Sequence, residues 1–240
     1  MTRGVALALV IAGLAGCDSL PGKPTEADRP RIPSEVTDFA TLYGRNCAGC
    51  HGADGRLGAA RSLHDPVYLA LADAAVLRQV IRDGVPGTSM PGFGTTAGGT
   101  LTDAQIDILV EQMRARWGGS AGLEGAPPPY RPTAPGDPQA GLIAYGSYCA
   151  RCHGPEGRGG RDGGPVTDGS YLALVSDQAL RTTIIAGRTD LGMPDWREAA
   201  PGRPMSDREI TDVVAWLASQ RRSSPGQPYP QENPQERPDG

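Results

Sequence analysis

The 240-residue sequence is poor in large apolar side chains: aromatic residues make up 5% of the chain and hydrophobic residues 38%. It contains 34 glycines and 23 prolines, which favour long irregular loops over two ordinary hydrophobic cores. It also lacks a basic excess, because 23 Lys and Arg residues stand against 27 Asp and Glu residues. The net charge of −4 excludes the basic surface typical of proteins that bind nucleic acid.

The N-terminal apolar stretch, residues 5–14, is too short to span a bilayer. It follows Arg3 and precedes small residues, as in a bacterial export signal. Its end, Leu14-Ala15-Gly16-Cys17, resembles the bacterial lipobox, in which the cysteine is lipidated and becomes the mature N-terminus. We therefore expect a lipoprotein signal peptide at 1–16 and a lipid anchor on Cys17. A plain signal peptide followed by a chance cysteine is the alternative.

Histidine and cysteine are scarce, with three and five residues, and most of them fall in two short motifs. These are Cys47-Ala48-Gly49-Cys50-His51 and Cys149-Ala150-Arg151-Cys152-His153. Each reads C-x-x-C-H, the pattern for attachment of c-type haem. Two thiols about one helical turn apart can add to the two vinyl groups of one haem, and the adjacent histidine then binds the iron. The motifs predict two covalently bound haem c groups.

Other uses of these cysteines fit the pattern less well. A redox C-x-x-C of the thioredoxin kind is typical of an alternating strand–helix context, which the sequence does not show. A zinc site needs a second pair of cysteine or histidine ligands within each half of the chain, and neither half has one. A disulfide is the third alternative. Two haems would also compensate for the shortage of core side chains, because each half could fold around a large apolar plate.

The motifs lie 102 residues apart within an internal repeat. Tyr68-Leu69-Ala70-Leu71 matches Tyr171-Leu172-Ala173-Leu174, and Met90-Pro91 matches Met193-Pro194. Such self-similarity indicates duplication of one haem-binding unit. We therefore predict the following segments: a tether at 17–34, a first domain at 35–118, a Pro/Gly-rich linker at 119–138, a second domain at 139–222, and a disordered tail at 223–240. Two cores joined in this way are expected to respond independently to mutation.

The apolar spacing predicts helices rather than strands. A short helix should lead into Cys47, a second should cover 73–82 and end at Gly84, and a third should begin after a cap at Thr102. In the second half the last helix should cover 207–219, with Ser206 as its cap. The predicted fold class is all-α.

The order of elements in each half resembles class I c-type cytochromes. A helix leads into C-x-x-C-H, and a Gly-rich loop, short helices, a loop with Met-Pro and a last helix with an aromatic residue follow. As a whole the chain resembles a lipid-anchored tandem dihaem cytochrome c. The resemblance implies that the first and last helices of each domain cross, often through a glycine in one and an aromatic residue in the other. Gly141 and Tyr145 with Trp216 match this pattern in the second domain. The first domain departs from it, with Phe39 in place of the glycine.

The same resemblance implies a methionine sulfur as the sixth iron ligand, opposite His51 and His153. Met90 and Met193 are the candidates, because each lies in a Gly/Pro-rich loop just before a proline. Met113 and Met205 are the competitors, although the first falls on an apolar helix stripe and the second just before a helix cap. A second histidine ligand, His64, is a further alternative for the first haem.

An iron with both histidine and methionine bound has no open coordination position, which points to electron transfer rather than catalysis. We expect an electron carrier in the cell envelope, facing the periplasm, with a membrane-bound redox complex or a soluble electron carrier as partner. Neither a small-molecule substrate nor nucleic acid is expected to bind. The alternative is a haem enzyme, such as a dihaem peroxidase or a sulfur-compound oxidase, with one displaceable iron ligand. A haem-based sensor would need a signalling domain, and none is apparent.

Overall fold

The structure is a computed structural model that describes residues 32–119 and 126–222, together with Thr25 and Pro30. The signal peptide, Cys17, most of the tether and the C-terminal tail predicted above lie outside the described residues. Residues from Thr37 onward belong to one unit, and the part of the chain before it contains a 3-10 turn at Pro33–Glu35. No helix within the described part of the chain has the length and apolar character to span a bilayer.

The described residues form two successive sets of five α-helices. The first set is α1 (Phe39–Asn46), α2 (Ala48–His51), α3 (Pro66–Leu71), α4 (Ala74–Asp83) and α5 (Asp103–Trp117). The second set is α6 (Pro138–Tyr148), α7 (Ala150–His153), α8 (Gly169–Leu174), α9 (Asp177–Ala186) and α10 (Asp207–Ser219). Shorter 3-10 turns lie at Thr95–Ala97, Pro155–Gly157 and Thr189–Leu191. Within this part of the chain there are two isolated β-bridges and no strand, so the predicted all-α class is confirmed.

Polar side chains fix the starts of these helices where the sequence predicts them. The Asp73 carboxylate accepts a hydrogen bond from the Val76 amide at the start of α4. Thr102 begins α5 with a capping box, in which its hydroxyl accepts from the Gln105 amide while the Gln105 side chain accepts from the Thr102 amide. Ser206 begins α10 in the same way, with Glu209 as its partner. These caps satisfy amides that have no partner inside the helix.

The first and last helices of the second domain cross at very short range. A Cβ atom on Gly141 would lie 2.0 Å from the Asp212 carbonyl oxygen, so only glycine allows α6 to approach α10 this closely. One turn further on, the Tyr145 and Trp216 rings pack with their centroids 4.5 Å apart. The crossing predicted for Gly141, Tyr145 and Trp216 is therefore confirmed.

The first domain replaces this close crossing with an aromatic cluster. The Phe39 ring lies 5.7 Å from both the Tyr43 and the Trp117 ring, and the Tyr43 and Trp117 rings are 5.1 Å apart. The His64 ring stacks on Trp117 at 5.3 Å and hydrogen-bonds the Asp54 carbonyl at 3.0 Å through Nδ1. The bulk of Phe39 thus fills the crossing of α1 and α5, where the second domain has a glycine.

The described part of the linker packs against the second domain. Arg181, with a side chain only 2% exposed, donates hydrogen bonds to the carbonyls of Pro129 at 2.7 Å and Tyr130 at 3.3 Å. Arg208 donates to the Pro135 carbonyl at 3.1 Å. Two arginine side chains, one on α9 and one on α10, therefore hydrogen-bond the backbone of residues 129–135.

The two domains are also in direct contact, because α3 packs against α9. Polar groups add to this contact: the Arg61 guanidinium donates to Thr183 Oγ1 at 2.6 Å, and the Arg188 guanidinium donates to the Gly58 carbonyl at 3.2 Å. The two domains thus share a contact that the sequence does not predict, while their independent response to mutation stays a prediction. The contact forms because loops of both domains carry long arginine side chains that donate hydrogen bonds to carbonyl and hydroxyl groups of the other domain.

Candidate haem-binding sites

The two C-x-x-C-H segments have the same backbone geometry. In each, the first cysteine ends one helix and starts the next, so that Cys47 and Cys50, or Cys149 and Cys152, lie one turn apart on the same side of a short helix. The Cys47 amide donates to the Tyr43 carbonyl at 2.8 Å, and the Cys149 amide makes the matching bond to Tyr145, also at 2.8 Å. This spacing suits two thioether bonds to one macrocycle.

Each motif histidine has one ring nitrogen hydrogen-bonded to a backbone carbonyl. His51 Nδ1 lies 2.7 Å from the Arg61 carbonyl oxygen, and His153 Nδ1 lies 2.8 Å from that of Gly164. Because a carbonyl can only accept, Nδ1 carries the proton and Nε2 keeps a free lone pair. A metal-binding histidine typically has this arrangement, which fixes the tautomer and the ring orientation. Both rings thus fit the role of an iron ligand.

Burial favours the neutral form of the first histidine. It lowers the pKa of His51, and the positive charges of Arg61 and Arg188 act in the same direction, whereas the hydrogen bond to the Arg61 carbonyl opposes them. The imidazole is therefore neutral near pH 7, which is the form that binds iron.

The first thiol of each motif does not have the lowered pKa of a redox cysteine. Burial raises the pKa of Cys47 to about 12, with a further contribution from the Cys50 thiol. Burial likewise raises the pKa of Cys149 to about 12, with Cys152 adding to it. A reactive C-x-x-C thiol has a lowered pKa instead. All four motif cysteines are free of disulfides, and the described residues contain no group of side chains suited to a metal ion such as zinc.

Tight glycine turns carry the chain away from each histidine. Gly52 and Gly154 have φ angles of 85° and 75°, in the left-handed region that favours glycine. The carbonyl of each accepts a hydrogen bond from a tyrosine hydroxyl, Tyr43 at 2.9 Å and Tyr145 at 2.8 Å. The C-x-x-C-H motifs alone do not predict this role of the tyrosines. Their shared position, four residues before the first cysteine of each motif, is the signal that could have revealed it.

The two candidate methionine ligands lie in equivalent loops. A glycine with positive φ ends the preceding helix in both domains: Gly84 ends α4 and Gly187 ends α9. A Cβ atom on Gly84 would lie 2.8 Å from the Met90 carbonyl oxygen, and one on Gly187 would lie 2.6 Å from that of Met193. The glycines thus let each methionine loop return across the end of its helix.

The burial of the four methionines separates the candidates from their competitors. Met90 and Met193 are half-buried and lie in loops between helices. Met113 and Met205 are only 2% and 3% exposed and belong to the cores of their domains. His64, the other alternative, has its ring against Trp117 and its Nδ1 on Asp54. The assignment of Met90 and Met193 as iron ligands stays a prediction that this arrangement favours.

Taken together, each domain presents two unpaired thiols, an imidazole with a fixed tautomer, a glycine turn and a loop methionine in the same order. This set of residues fits a haem c group held covalently by the cysteines. His51 and His153 would then be the first axial ligands, with Met90 and Met193 as the second. Cys17, the predicted lipid-bearing residue, lies outside the described part of the chain.

Comparison with known proteins identifies the family. The sequence model of the cytochrome c oxidase cbb3-type subunit III family matches residues 34–113 and again residues 136–217. The cbb3-type cytochrome c oxidase subunit FixP of Azorhizobium caulinodans is 30% identical over 162 residues, which cover 64% of this chain and 50% of that protein. FixP of Bradyrhizobium sp. (strain ORS 278) is 32% identical over 168 residues, 65% of this chain and 52% of that protein.

A further relative is named for a different activity. The dihydro-heme d1 dehydrogenase of Pseudomonas aeruginosa is 36% identical over 110 residues, which cover 46% of this chain but 18% of that protein. The chain spans about half the length of the two FixP relatives. The family match covers both halves of the repeat, and the family implies covalently bound haem c. The chain therefore belongs to the cytochrome c oxidase cbb3-type subunit III family and consists of two tandem cytochrome c domains.

Proposed function

We propose that this chain is a dihaem c-type cytochrome that carries electrons at the periplasmic surface of a membrane. The observation that supports it most is the repetition, in both domains, of a C-x-x-C-H motif whose histidine Nδ1 donates to a carbonyl. When bound, each haem would supply a one-electron Fe(III)/Fe(II) couple. The residues of the chain attach it, orient the imidazole and offer a methionine for the other axial position. With both axial positions filled, the chain itself would not act as an enzyme.

The partner we propose is a membrane-bound respiratory complex, and the leading candidate is a cbb3-type oxidase. Two FixP relatives carry the name of that oxidase, and the family model matches both domains of this chain. A soluble electron carrier or a photosynthetic complex would require the same one-electron transfer from the chain. Co-purification from detergent-solubilised membranes, followed by identification of the bound proteins, distinguishes these partners.

We further infer that Cys17 carries the lipid that holds the protein at the membrane. The motif Leu14-Ala15-Gly16-Cys17 supports this inference, as does the need to account for an exported cysteine outside the haem motifs. Acyl chains hold a protein at a membrane surface by burying methylene groups, without a spanning helix.

Haem counting and spectroscopy test the proposed function. The pyridine haemochrome of the purified protein should give two haems per chain, and Cys47→Ala or Cys149→Ala should lower that ratio by disrupting one attachment. The ferric protein should show the near-infrared charge-transfer band of methionine-ligated haem, and the ferrous protein should not bind carbon monoxide. A ratio of one haem per chain, or ready binding of carbon monoxide, would contradict the proposal.

A further inference from the structure

Two segments that end at or follow predicted iron ligands of different haems are hydrogen-bonded to each other. We call residues 52–65, which follow His51, the proximal loop, and residues 188–193, which end at Met193, the methionine loop. The Leu57 amide donates to Asp190 Oδ2 at 3.1 Å, and Arg188 donates to the Gly58 carbonyl at 3.2 Å. Backbone hydrogen bonds between Arg188 and Met193 close the methionine loop. The loop that follows His51 thus contacts the loop that ends at Met193.

Hydrogen bonds within the methionine loop hold Arg188 and Asp190 in position for this contact. Two nitrogens of Arg188 donate to the two carboxylate oxygens of Asp190, at 2.9 and 3.0 Å. This fork-to-carboxylate geometry holds both side chains in place and lowers the pKa of Asp190, with the amide of Leu57 acting in the same direction although burial opposes both. Asp190 is therefore charged and oriented where it meets the proximal loop.

The proximal loop is distorted at the same place. Leu57 has a φ angle of 60°, in the left-handed region that a bulky residue rarely adopts. Its side chain is 72% exposed, so packing of the side chain does not account for the conformation. Backbone strain of this kind persists only where surrounding contacts hold it, and the bond from the Leu57 amide to Asp190 is such a contact.

Arg61 connects the two domains, because its carbonyl binds His51 in the first domain and its guanidinium binds α9 in the second. Its carbonyl accepts the hydrogen bond from His51 Nδ1 at 2.7 Å. Its guanidinium donates to Thr183 Oγ1 at 2.6 Å and to the Ala179 carbonyl at 3.4 Å, both on α9 of the second domain. The Tyr68 ring supports the guanidinium from within the first domain, with the guanidinium carbon 5.0 Å from its centroid. A movement of α9 would therefore act on the residue that holds His51.

The second domain shows that this side chain is not needed to hold the histidine. The residue whose carbonyl binds His153 is Gly164, which has no side chain. The carbonyl function is thus common to both copies of the repeat, whereas the guanidinium is found in the first copy alone. The guanidinium that distinguishes the first copy is the group that contacts Thr183 and Ala179 in the other domain.

We propose that Arg61 is a positioning residue that holds the second domain against the proximal loop of the first haem site and so sets the spacing at which two bound haems would exchange electrons. The inference rests on the proposed function of a dihaem electron carrier. With both haems bound, the exchange would be a one-electron step in which one iron is oxidised from Fe(II) to Fe(III) while the other is reduced from Fe(III) to Fe(II), with no bond made or broken. Domains of one chain move relative to each other by default, and the hydrogen bonds of Arg61 and Arg188 to the other domain oppose that movement here.

The test uses the full-length protein with its haems and three variants. Arg61→Ala removes the guanidinium but keeps the carbonyl that holds His51. Thr183→Val removes the acceptor from the other domain and leaves the proximal loop unchanged. Arg56→Ala is the matched control, because Arg56 lies on the same loop, is exposed, and forms an ion pair within that loop, with Asp54 at 3.5 Å. All three should retain the haem content and the methionine-ligand band of the parent protein.

Two measurements are made on each variant. Hydrogen exchange at the Leu57 amide should become faster in Arg61→Ala and Thr183→Val and stay unchanged in Arg56→Ala. After rapid reduction of one haem by a light-driven donor, the fast intramolecular phase of electron redistribution should be lost in the first two variants and kept in the third. A merely structural role of Arg61 within the first domain would not give the same losses from Thr183→Val.

Unchanged hydrogen exchange at Leu57 together with an intact fast phase in Arg61→Ala would overturn the proposal. If Arg61→Ala fails to fold, Thr183→Val decides the question by the same two measurements. A parent protein with fewer than two haems would instead contradict the proposed function. The hydrogen exchange result would then still show whether Arg61 holds the domains together, so the two failures remain distinguishable.

Discussion

Two neighbouring glycines beside His153 differ in what they require of the chain. A Cβ atom on Gly163 would lie 2.7 Å from His153 Nδ1 and 2.8 Å from Cε1, whereas one on Gly164 would meet nothing within 4 Å. Gly163→Ala should therefore displace the imidazole and cost about 1–3 kcal/mol of unfolding free energy, as overpacking typically does. Gly164→Ala keeps the carbonyl that binds the ring and should change stability by less than about 0.5 kcal/mol.

Guanidinium denaturation gives the two unfolding free energies, and electron paramagnetic resonance of the ferric protein reports the ligation of the second haem. Gly163→Ala should alter the signal of that haem, while Gly164→Ala should leave it unchanged. Equal effects of the two substitutions would show that the ring of His153 is not confined as the structure indicates.

Met90 and Met113 offer a similar comparison in the first domain. Met90→Ala should remove a thioether from the first iron, which favours Fe(III) and lowers the potential of that haem. Met113→Ala should leave the spectrum unchanged and cost about 2–5 kcal/mol, because a buried side chain is replaced by a cavity. Potentiometric titration followed in the near infrared distinguishes the two. A Met90→Ala protein that retains two methionine-ligated haems would make Met113 the leading candidate ligand.

At the scale of elements, the crossing of α6 and α10 depends on one glycine. Gly141→Ala would bring a Cβ atom to 2.0 Å from the Asp212 carbonyl oxygen and 2.8 Å from Trp216 Cβ, so the helices must separate. We expect a loss of at least about 1–3 kcal/mol from overpacking. Gly146, on the same helix, has nothing within 4 Å of a Cβ atom. Gly146→Ala should therefore stabilise α6 by up to about 1 kcal/mol through helix propensity alone.

Thermal unfolding of the second domain, followed at its haem, measures both effects. The two substitutions are chemically identical and lie on one helix, so a difference in sign isolates the contact with α10. If Gly146→Ala destabilised the domain as much as Gly141→Ala, the crossing would not be the cause, and alanine would be unfavourable in α6 for another reason.

At the scale of the whole molecule, Cys17→Ser tests the proposed lipid anchor. The variant should appear in the soluble periplasmic fraction with both haems in place, because each buried methylene of an acyl chain contributes about 0.8 kcal/mol to membrane binding. Fractionation of cells that lack any partner complex makes the measurement, since a partner could retain the protein by itself. Retention of Cys17→Ser at the membrane of such cells would contradict the lipoprotein assignment.

Much of the organisation of this protein follows from the sequence because the signals for it are local. The C-x-x-C-H motifs, the caps at Thr102 and Ser206 and the glycines that end α4 and α9 all act on residues within one or two turns. The repeat offset then relates the two copies without any knowledge of their packing. These features determined the helical class, the duplication and the candidate histidine ligands, whereas the methionine candidates followed from the resemblance to class I c-type cytochromes.

Only the tertiary structure decided which groups orient the histidines and how the domains meet. Every residue has a carbonyl, so no residue type marks Arg61 or Gly164 as the partner of an imidazole ten or eleven positions away. The bonds that join the domains link residues 122 and 133 positions apart, as between Arg61 and Thr183 or between Leu57 and Asp190. Periodicity and motif spacing report the local conformation of the chain, whereas such contacts depend on how its two folded halves pack together.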